Sequence, residues 1–413
     1  MSVGIERLAV YVPQYALRLH DLAVARGVPP EKFTQGIGAH EMAVMPPCED
    51  VVTLAATAGA RVLRAANVSP RSIGMLLVAT ETAVDHAKPV SIFVHDLLGI
   101  GPHCRVFELK HACYAGTAAV MTAADWVRAG GLRDRRALVI ASDVARYGIG
   151  TPGEPTQGAG AVAMLIEPQP RALVLSEDTG LHAVNAWDFW RPLDRREALV
   201  DGKLSIQCYL DTLEGAFGAY RALERPPLEP DEALSDRFAR VLYHTPFPKM
   251  AQKAHRRLVE LDWRLTAEKW PKVEHRLDEA AAESFAELVA PTLAVAARVG
   301  NTYTASLYLG LAAVLEAEGR RLGGRRIGLF SYGSGSCGEF FSGFVPAGVA
   351  NVADAGIGEQ LASRTHLDVG AYEQLMRMPD AGGDPPPGFR GEFVFRGVHG
   401  DRREYEHLEA PAA

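Results

Sequence analysis

The stretch "CRVFELKHACYAGTAAVMTAADWVRAGG", residues 104–131, contains the change of period on which the fold turns. Its first seven residues, "CRVFELK", read as a strand. From Cys113 onward small and apolar residues recur at helical spacing, until Gly130 and Gly131 stop the helix. Upstream, "IERLAVYVP" reads as a strand ended by proline, and "DVVTLAATAGARVLRAAN" as a helix that Asp50 is placed to cap. "SIGMLLVATE" is a continuous apolar run, the pattern of a strand buried on both faces, and "SIFVHDLLG" is a helix closed by glycine. Downstream, "RALVIASD" and "AGAVAMLIEP" add two strands. Strands alternate with helices, which predicts an α/β fold with a mainly parallel sheet covered by helices.

The second half reads alike. "RALVLSE" is a strand, "SIQCYLDTLEGAFGAYRALE" a helix, and "ARVLYH" a strand leading into the helix "KMAQKAHRRLVELDW". "NTYTASLYLGLAAVLEAEG" is a helix, and "RIGLFSYGSGSCGEFFSGFV" a strand, glycine turn and strand. "RALVIASD" with "GAGAVAMLIEP" echoes "RIGLFSYGSG" with "GEFFSGFVP". A duplicated architecture follows, with halves at 1–168 and 169–413. "PDAGGDPPPGF" (379–389) reads as a linker or surface loop, and the "GEFVFRGVHGDRREYE" after it as a late edge strand.

Bulk composition narrows the function. The chain has 413 residues, 48% apolar and 23% charged, with net charge −7. That is ordinary for a globular protein and argues against nucleic acid as a partner. No window is long and apolar enough for a membrane span, and the amino end lacks the features of a signal peptide. Cys48, Cys104, Cys113, Cys208 and Cys337 are odd in number and widely spaced. They fit a reducing cytoplasm and offer neither a disulfide framework nor a metal site.

Three residues occupy strand ends, where ligands gather in α/β sheets. Cys113 lies where a strand hands over to a helix; the helix dipole there predicts a thiol pKa below that of free cysteine. Packing is the competing reading, because free cysteine is often simply buried. Glu81 closes "MLLVATE", where an apolar setting would raise its pKa and suit it to proton transfer. His244 closes "ARVLYH" in the same way. Lys249 and Lys253, four apart, share a helix face and suit a phosphate-bearing substrate. Gly333 and Ser334 lie in a glycine turn able to aim backbone N–H groups into a cavity, as an oxyanion hole requires. "GEPTQGAGAVAML", too irregular for a phosphate loop, is a similar lead-in to a strand. A thiol, a carboxyl and an imidazole are what carbon–carbon bond formation on thioesters needs.

Read in order, "VATETAVDHAKP", "HDLLGI", "FELKHACYAGTAA", "IASDVARYG", "GEPTQGAGAVAML", "VDGKLSIQCYL", "YHTPFPKMAQKAH", "RVGNTYTASLYLGL" and "SYGSGSCGEFFSG" span most of the chain. In this set and order the chain resembles the 3-hydroxy-3-methylglutaryl-CoA synthase family, bacterial type, of the thiolase-like superfamily. The resemblance implies duplicated βαβαβ halves in α/β/α/β/α layers and a homodimer. It implies that Cys113 is acetylated by acetyl-CoA, that Glu81 removes a proton from the acetyl methyl group, and that His244 serves the ketone of acetoacetyl-CoA. It further implies Ser334 with Cys113 as the oxyanion hole, Asn301 and Thr156 as substrate contacts, Lys249 and Lys253 as CoA contacts, and no cofactor. A polyketide branch of the same family uses acyl carrier proteins and shares these catalytic residues. Lys249 and Lys253 together favour CoA. A non-catalytic binding protein on the same scaffold is disfavoured by the intact Cys113, Glu81 and His244. A thiolase is disfavoured because "GSGSCGEFF" departs from the second-cysteine motif, which leaves Cys337 a structural role.

Overall fold

The computed structural model describes residues 1–131, 135–195, 197–266, 270–348, 356–378 and 382–408. Residues 104–131 form the strand Arg105–Leu109 and the helix Ala115–Arg128, separated by a tight elbow. Nine strands make one sheet. Outward from Val3–Tyr11 lie Gly158–Pro168, Arg136–Ala145, Ile73–Ala79 and Arg105–Leu109. Outward from Leu173–Ala183 on the other side lie Cys337–Phe344, Arg326–Gly333 and Arg240–Tyr243. Over four strands the two arms share both order and pairing sense: antiparallel, antiparallel, then parallel. Their central strands pair at Gly4↔Val174 and Ile5↔Leu173. A Cβ on Gly4 would come within 2.0 Å of the Leu173 carbonyl oxygen, so the seam needs glycine there.

Three clusters of buried residues give the layers. The largest holds both central helices, Ala115–Arg128 and Ser306–Leu322, against the inner faces of both arms, with Leu77, Val139, Met164, Leu242 and Leu329 among its strand residues. The outer face of the first arm packs on Val51–Ala66 and Val90–Leu97, and that of the second on Gly202–Ala222 and Pro248–Leu265. The order is therefore α/β/α/β/α. The first central helix comes close to the turn before the second because residue 116 is glycine: a Cβ on Gly116 would stand 2.4 Å from the Thr304 carbonyl oxygen.

Two expectations need correction. The sheet is mixed, with three of its eight strand contacts parallel and five antiparallel. Continuous apolar runs report burial on both faces, not direction; the segment 146–157 before Gly158 and the short turn 334–336 before Cys337 return the chain antiparallel. The late edge strand is instead a separate hairpin, Phe393–His399 with Arg402–His407, turning through Gly400 and Asp401, both at positive φ (53° and 63°). Arg403 and Tyr405 clamp it to Asp50 at 2.7 and 2.8 Å, while Asp50 also caps the helix Val51–Ala66. In the linker, 382–389 forms no helix or strand, and 379–381 lie outside the described residues.

Candidate active site

The elbow presents Cys113. Ala112 holds φ at 40°, a left-handed conformation that costs a residue with a Cβ energy, and Tyr114 has already entered helical backbone. The half-buried sulfur, two residues ahead of Ala115, donates a hydrogen bond to Glu81 Oε1 at 3.3 Å. Glu81 follows the strand Ile73–Ala79 by two residues and is only 9% exposed.

Asp143, wholly buried on the neighbouring strand, fixes that loop. Its Oδ1 accepts from the Glu81 N–H at 2.9 Å, the Thr82 N–H at 3.0 Å and the Thr80 and Thr82 hydroxyls at 2.8 Å. Its Oδ2 accepts from the Thr304 N–H at 3.1 Å and the Thr304 hydroxyl at 2.5 Å. One carboxylate thus ties the Glu81 loop of the first half to the turn that leads into the second half's central helix.

The electrostatics follow from these contacts. Burial, then the Asp143 charge, pushes the Glu81 carboxyl up to about 8. Burial, then the Glu81 carboxylate beside it, raises the Cys113 thiol well above its ordinary value. The expected lowering at the helix start is therefore corrected. Burial acts first, and the charges gathered round the sulfur are carboxylates, Glu81 and then Asp143 and Asp188, all of which disfavour the thiolate. At rest the pair is a thiol hydrogen-bonded to a carboxyl group.

His244 continues the ladder of Arg240–Tyr243, its N–H bonding the Phe330 carbonyl at 2.7 Å. Its own carbonyl accepts from the Tyr209 hydroxyl at 2.7 Å, and the two rings stack with centroids 6.4 Å apart. The imidazole is 3% exposed, and burial takes its pKa down to about 3, so the ring is neutral near pH 7. Burial, and then the charge of Cys113, raise the Tyr209 phenol.

Gly333 brings its turn against the elbow. A Cβ there would lie 2.6 Å from the His111 carbonyl oxygen and 2.7 Å from the Tyr114 nitrogen, so the turn packs on residues that flank Cys113. The turn is held by Asp188, wholly buried, which accepts from the Gly335 N–H at 2.9 Å and the Tyr332 hydroxyl at 2.7 Å. Asn301 bonds through its N–H to the Thr156 carbonyl at 3.0 Å, and its Oδ1 accepts from the Tyr303 N–H at 2.9 Å. Tyr303 meets Tyr147, and both phenols lie within the field of Cys113 and Glu81. Lys249 and Lys253 remain exposed on the helix Pro248–Leu265, outside this buried set. Among the described residues, no group of three His, Cys, Asp or Glu side chains is placed to hold a metal ion. Likewise no helix among them is long and apolar enough to cross a membrane.

Sequence reasoning passed over Asp143, Asp188, Tyr147, Tyr209, Tyr303 and Arg191. Asp143 carried a signal, a carboxylate inside the apolar run "LVIASDVA".

A buried thiol–carboxyl pair and a buried neutral imidazole on a thiolase-like fold are the parts of a condensing acyltransferase. The model of the hydroxymethylglutaryl-coenzyme A synthase N-terminal domain matches residues 1–171, and that of the C-terminal domain matches 174–282 and 269–381. The chain belongs to this family. A hydroxymethylglutaryl-CoA synthase from Enterococcus faecalis is 37% identical over 91% of each chain. A solved structure of MvaS in complex with 3-hydroxy-3-methylglutaryl coenzyme A is 45% identical, with a TM-score of 0.93 over 98% of this chain and 99% of that one. The HMG synthase of the curacin biosynthetic pathway, solved with a holo donor-ACP, is 31% identical, with a TM-score of 0.87 over 99% and 100%.

Proposed function

We propose that the protein condenses acetyl-CoA with acetoacetyl-CoA through an acetyl-Cys113 intermediate. The observation that carries this is the Cys113–Glu81 hydrogen bond at 3.3 Å. The Cys113 thiolate attacks the acetyl thioester carbonyl and expels the CoA thiolate, which takes up the proton that the thiol gave up. The oxyanion faces the Cys113 and Ser334 N–H groups. Glu81, as a carboxylate, takes a proton from the acetyl methyl group. The resulting enolate attacks the ketone carbon of acetoacetyl-CoA. His244, neutral, donates a hydrogen bond to the ketone oxygen as it becomes an alkoxide, which is then protonated by the Glu81 carboxyl. Water hydrolyses the Cys113 thioester and frees HMG-CoA. Asn301 and Thr156 contact the substrate, and exposed Lys249 and Lys253 take the CoA phosphates. No step needs a resident cofactor, and a reducing cytoplasm keeps Cys113 a thiol.

The test uses mass spectrometry after mixing with acetyl-CoA, beside a turnover assay. Wild type and Glu81→Ala should both carry an acetyl adduct, with condensation in Glu81→Ala down by roughly 10³-fold. Cys113→Ala should show neither adduct nor product. Product from Cys113→Ala would rule out the covalent route.

A second reading, carrier-bound thioesters, draws on the exposed Trp187, Leu193, Val200 and Leu204 in and beside the loop that reaches the site. Parallel assays with CoA-linked and carrier-linked substrate pairs decide between them. The partner we assign to the sheet's edge is a second copy. Arg105–Leu109 ends the sheet, its Val106, Phe107 and Leu109 are only half-buried, and it leads directly to Cys113. A monomer by sedimentation would overturn this assignment.

A further inference from the structure

We infer that Arg191 is a positioning residue for the base, holding the main chain of Glu81 from a strap that also carries the Ser334 turn. The inference rests on the reading of Glu81 as the base.

The strap is segment 184–191, which continues from the strand Leu173–Ala183. It begins stitched to the glycine turn: the Val184 N–H bonds the Ser336 carbonyl at 2.9 Å, the Ser336 N–H returns to Val184 at 2.7 Å, and the Ala186 N–H bonds Gly335 at 2.6 Å. Asp188 then anchors it from beneath through Gly335 and Tyr332. Phe189 sets its ring edgewise to Tyr303, centroids 6.0 Å apart, and Phe189–Trp190 pairs with Leu199–Val200. Arg191, three residues beyond Asp188, donates its Nη2 hydrogen to the main-chain carbonyl of Glu81.

Glu81 is thereby fixed on both sides of its Cα. Asp143 holds the N–H, Arg191 holds the carbonyl, and the carboxyl between them meets the sulfur. The two clamps carry opposite charges. Asp143 drives the Glu81 pKa up, while Arg191, with Lys110, draws it down. The other titratable groups facing Glu81 are Cys113, Tyr147 and Tyr303. A cation supplied by the strap thus adjusts both the place and the acidity of the base. Because the strap's other anchor is the Ser334 turn, base and oxyanion hole share one support.

The experiment compares full-length wild type, Arg191→Lys and Arg191→Met over pH 6 to 10, recording kcat/KM for condensation and the yield of acetyl-Cys113. Arg191→Met should lower condensation by on the order of 10- to 100-fold. It should also move the rising limb of the profile upward by roughly one pH unit. Arg191→Lys should restore most of the limb position, and circular dichroism and acetyl yield should stay near wild type. A limb that does not move in Arg191→Met overturns the inference, whether activity is unchanged or falls equally at every pH. Glu81→Ala, run alongside, separates the two claims. Its failure to condense keeps the base reading whatever Arg191 does, and wild-type condensation by it removes that reading.

Discussion

The two halves share one scaffold and end it differently. In each, a central helix starts three residues after a non-glycine residue in left-handed backbone: Ala112, φ 40°, before Ala115, and Tyr303, φ 43°, before Ser306. The residue after that bend is Cys113 in the first half and Thr304 in the second. Before the bend the first half inserts an extra strand, Arg105–Leu109, where the second has short helical turns through 290–305. The sulfur therefore stands against Glu81, whereas Thr304 turns its N–H and hydroxyl to Asp143. One bend presents a thiol to a carboxyl; its counterpart makes a brace. A duplicated fold gains an active site when one copy keeps chemistry at the helix start and the other keeps support.

Their titratable groups diverge as well. The first half's Glu81 is pushed up to about 8 and the second half's His244 down to about 3. Two groups driven apart in this way take different tasks, one moving protons and the other donating a hydrogen bond as a neutral ring. The sign of the pH dependence follows. Condensation needs Glu81 ionised, so the rate rises with pH through a limb near 8 and falls about tenfold per unit well below it. His244 adds no limb between pH 5 and 9, because it is already neutral there. His244→Ala should cut kcat/KM for the second substrate by on the order of 10²- to 10³-fold, leaving acetyl-Cys113 formation and the limb in place. A profile recorded by steady-state assay checks both points, and a limb that disappears with His244 would reverse the division of labour.

Much of this was legible in the chain. Cys113, Glu81 and His244 stood out because reactive side chains end otherwise apolar runs, and the echo of "RALVIASD" in "RIGLFSYG" betrayed the duplication. Asp143 closes "RALVIASD" with the same signature yet was passed over; the structure places it two residues inside the strand Arg136–Ala145. Tyr147, Tyr209 and Tyr303 gave no signal, since aromatic residues fill ordinary cores. The direction of the Cys113 shift depends on which charges distant segments bring to the sulfur, and helix-start logic carries none of that. Strand direction was hidden for a similar reason: burial on both faces looks the same in parallel and antiparallel neighbours.

The seam between the two bends offers the next test. Gly116 faces the Thr304 carbonyl, and an added Cβ would lie 2.4 Å from that backbone oxygen and 3.3 Å from the Tyr308 ring. The main chain must shift, and Thr304 is the residue that braces Asp143. Gly116→Ala should destabilise the fold by about 1–3 kcal/mol in denaturant titration. Condensation should fall several-fold, more than acetylation, because the disturbance reaches Glu81 through Asp143. Equal loss of both steps would mean that the brace does not lead to the base.

The smallest expected effect lies at the next residue along the same seam, where the Thr117 and Tyr308 hydroxyls meet at 2.9 Å, both buried. This bond joins the central helices without touching the bends. Removing either partner alone strands the other: Tyr308→Phe leaves the Thr117 hydroxyl unpaired, and Thr117→Val leaves the phenol unpaired, at about 1–3 kcal/mol each. The double variant removes both polar groups and should cost less than the sum, giving a coupling of about 1 kcal/mol in a double-mutant cycle. Turnover should hardly change, because Tyr308 bears on Cys113 and Glu81 only through packing. A stability loss without an activity loss here, set against the activity loss at Gly116, would separate what merely joins the halves from what aligns their chemistry.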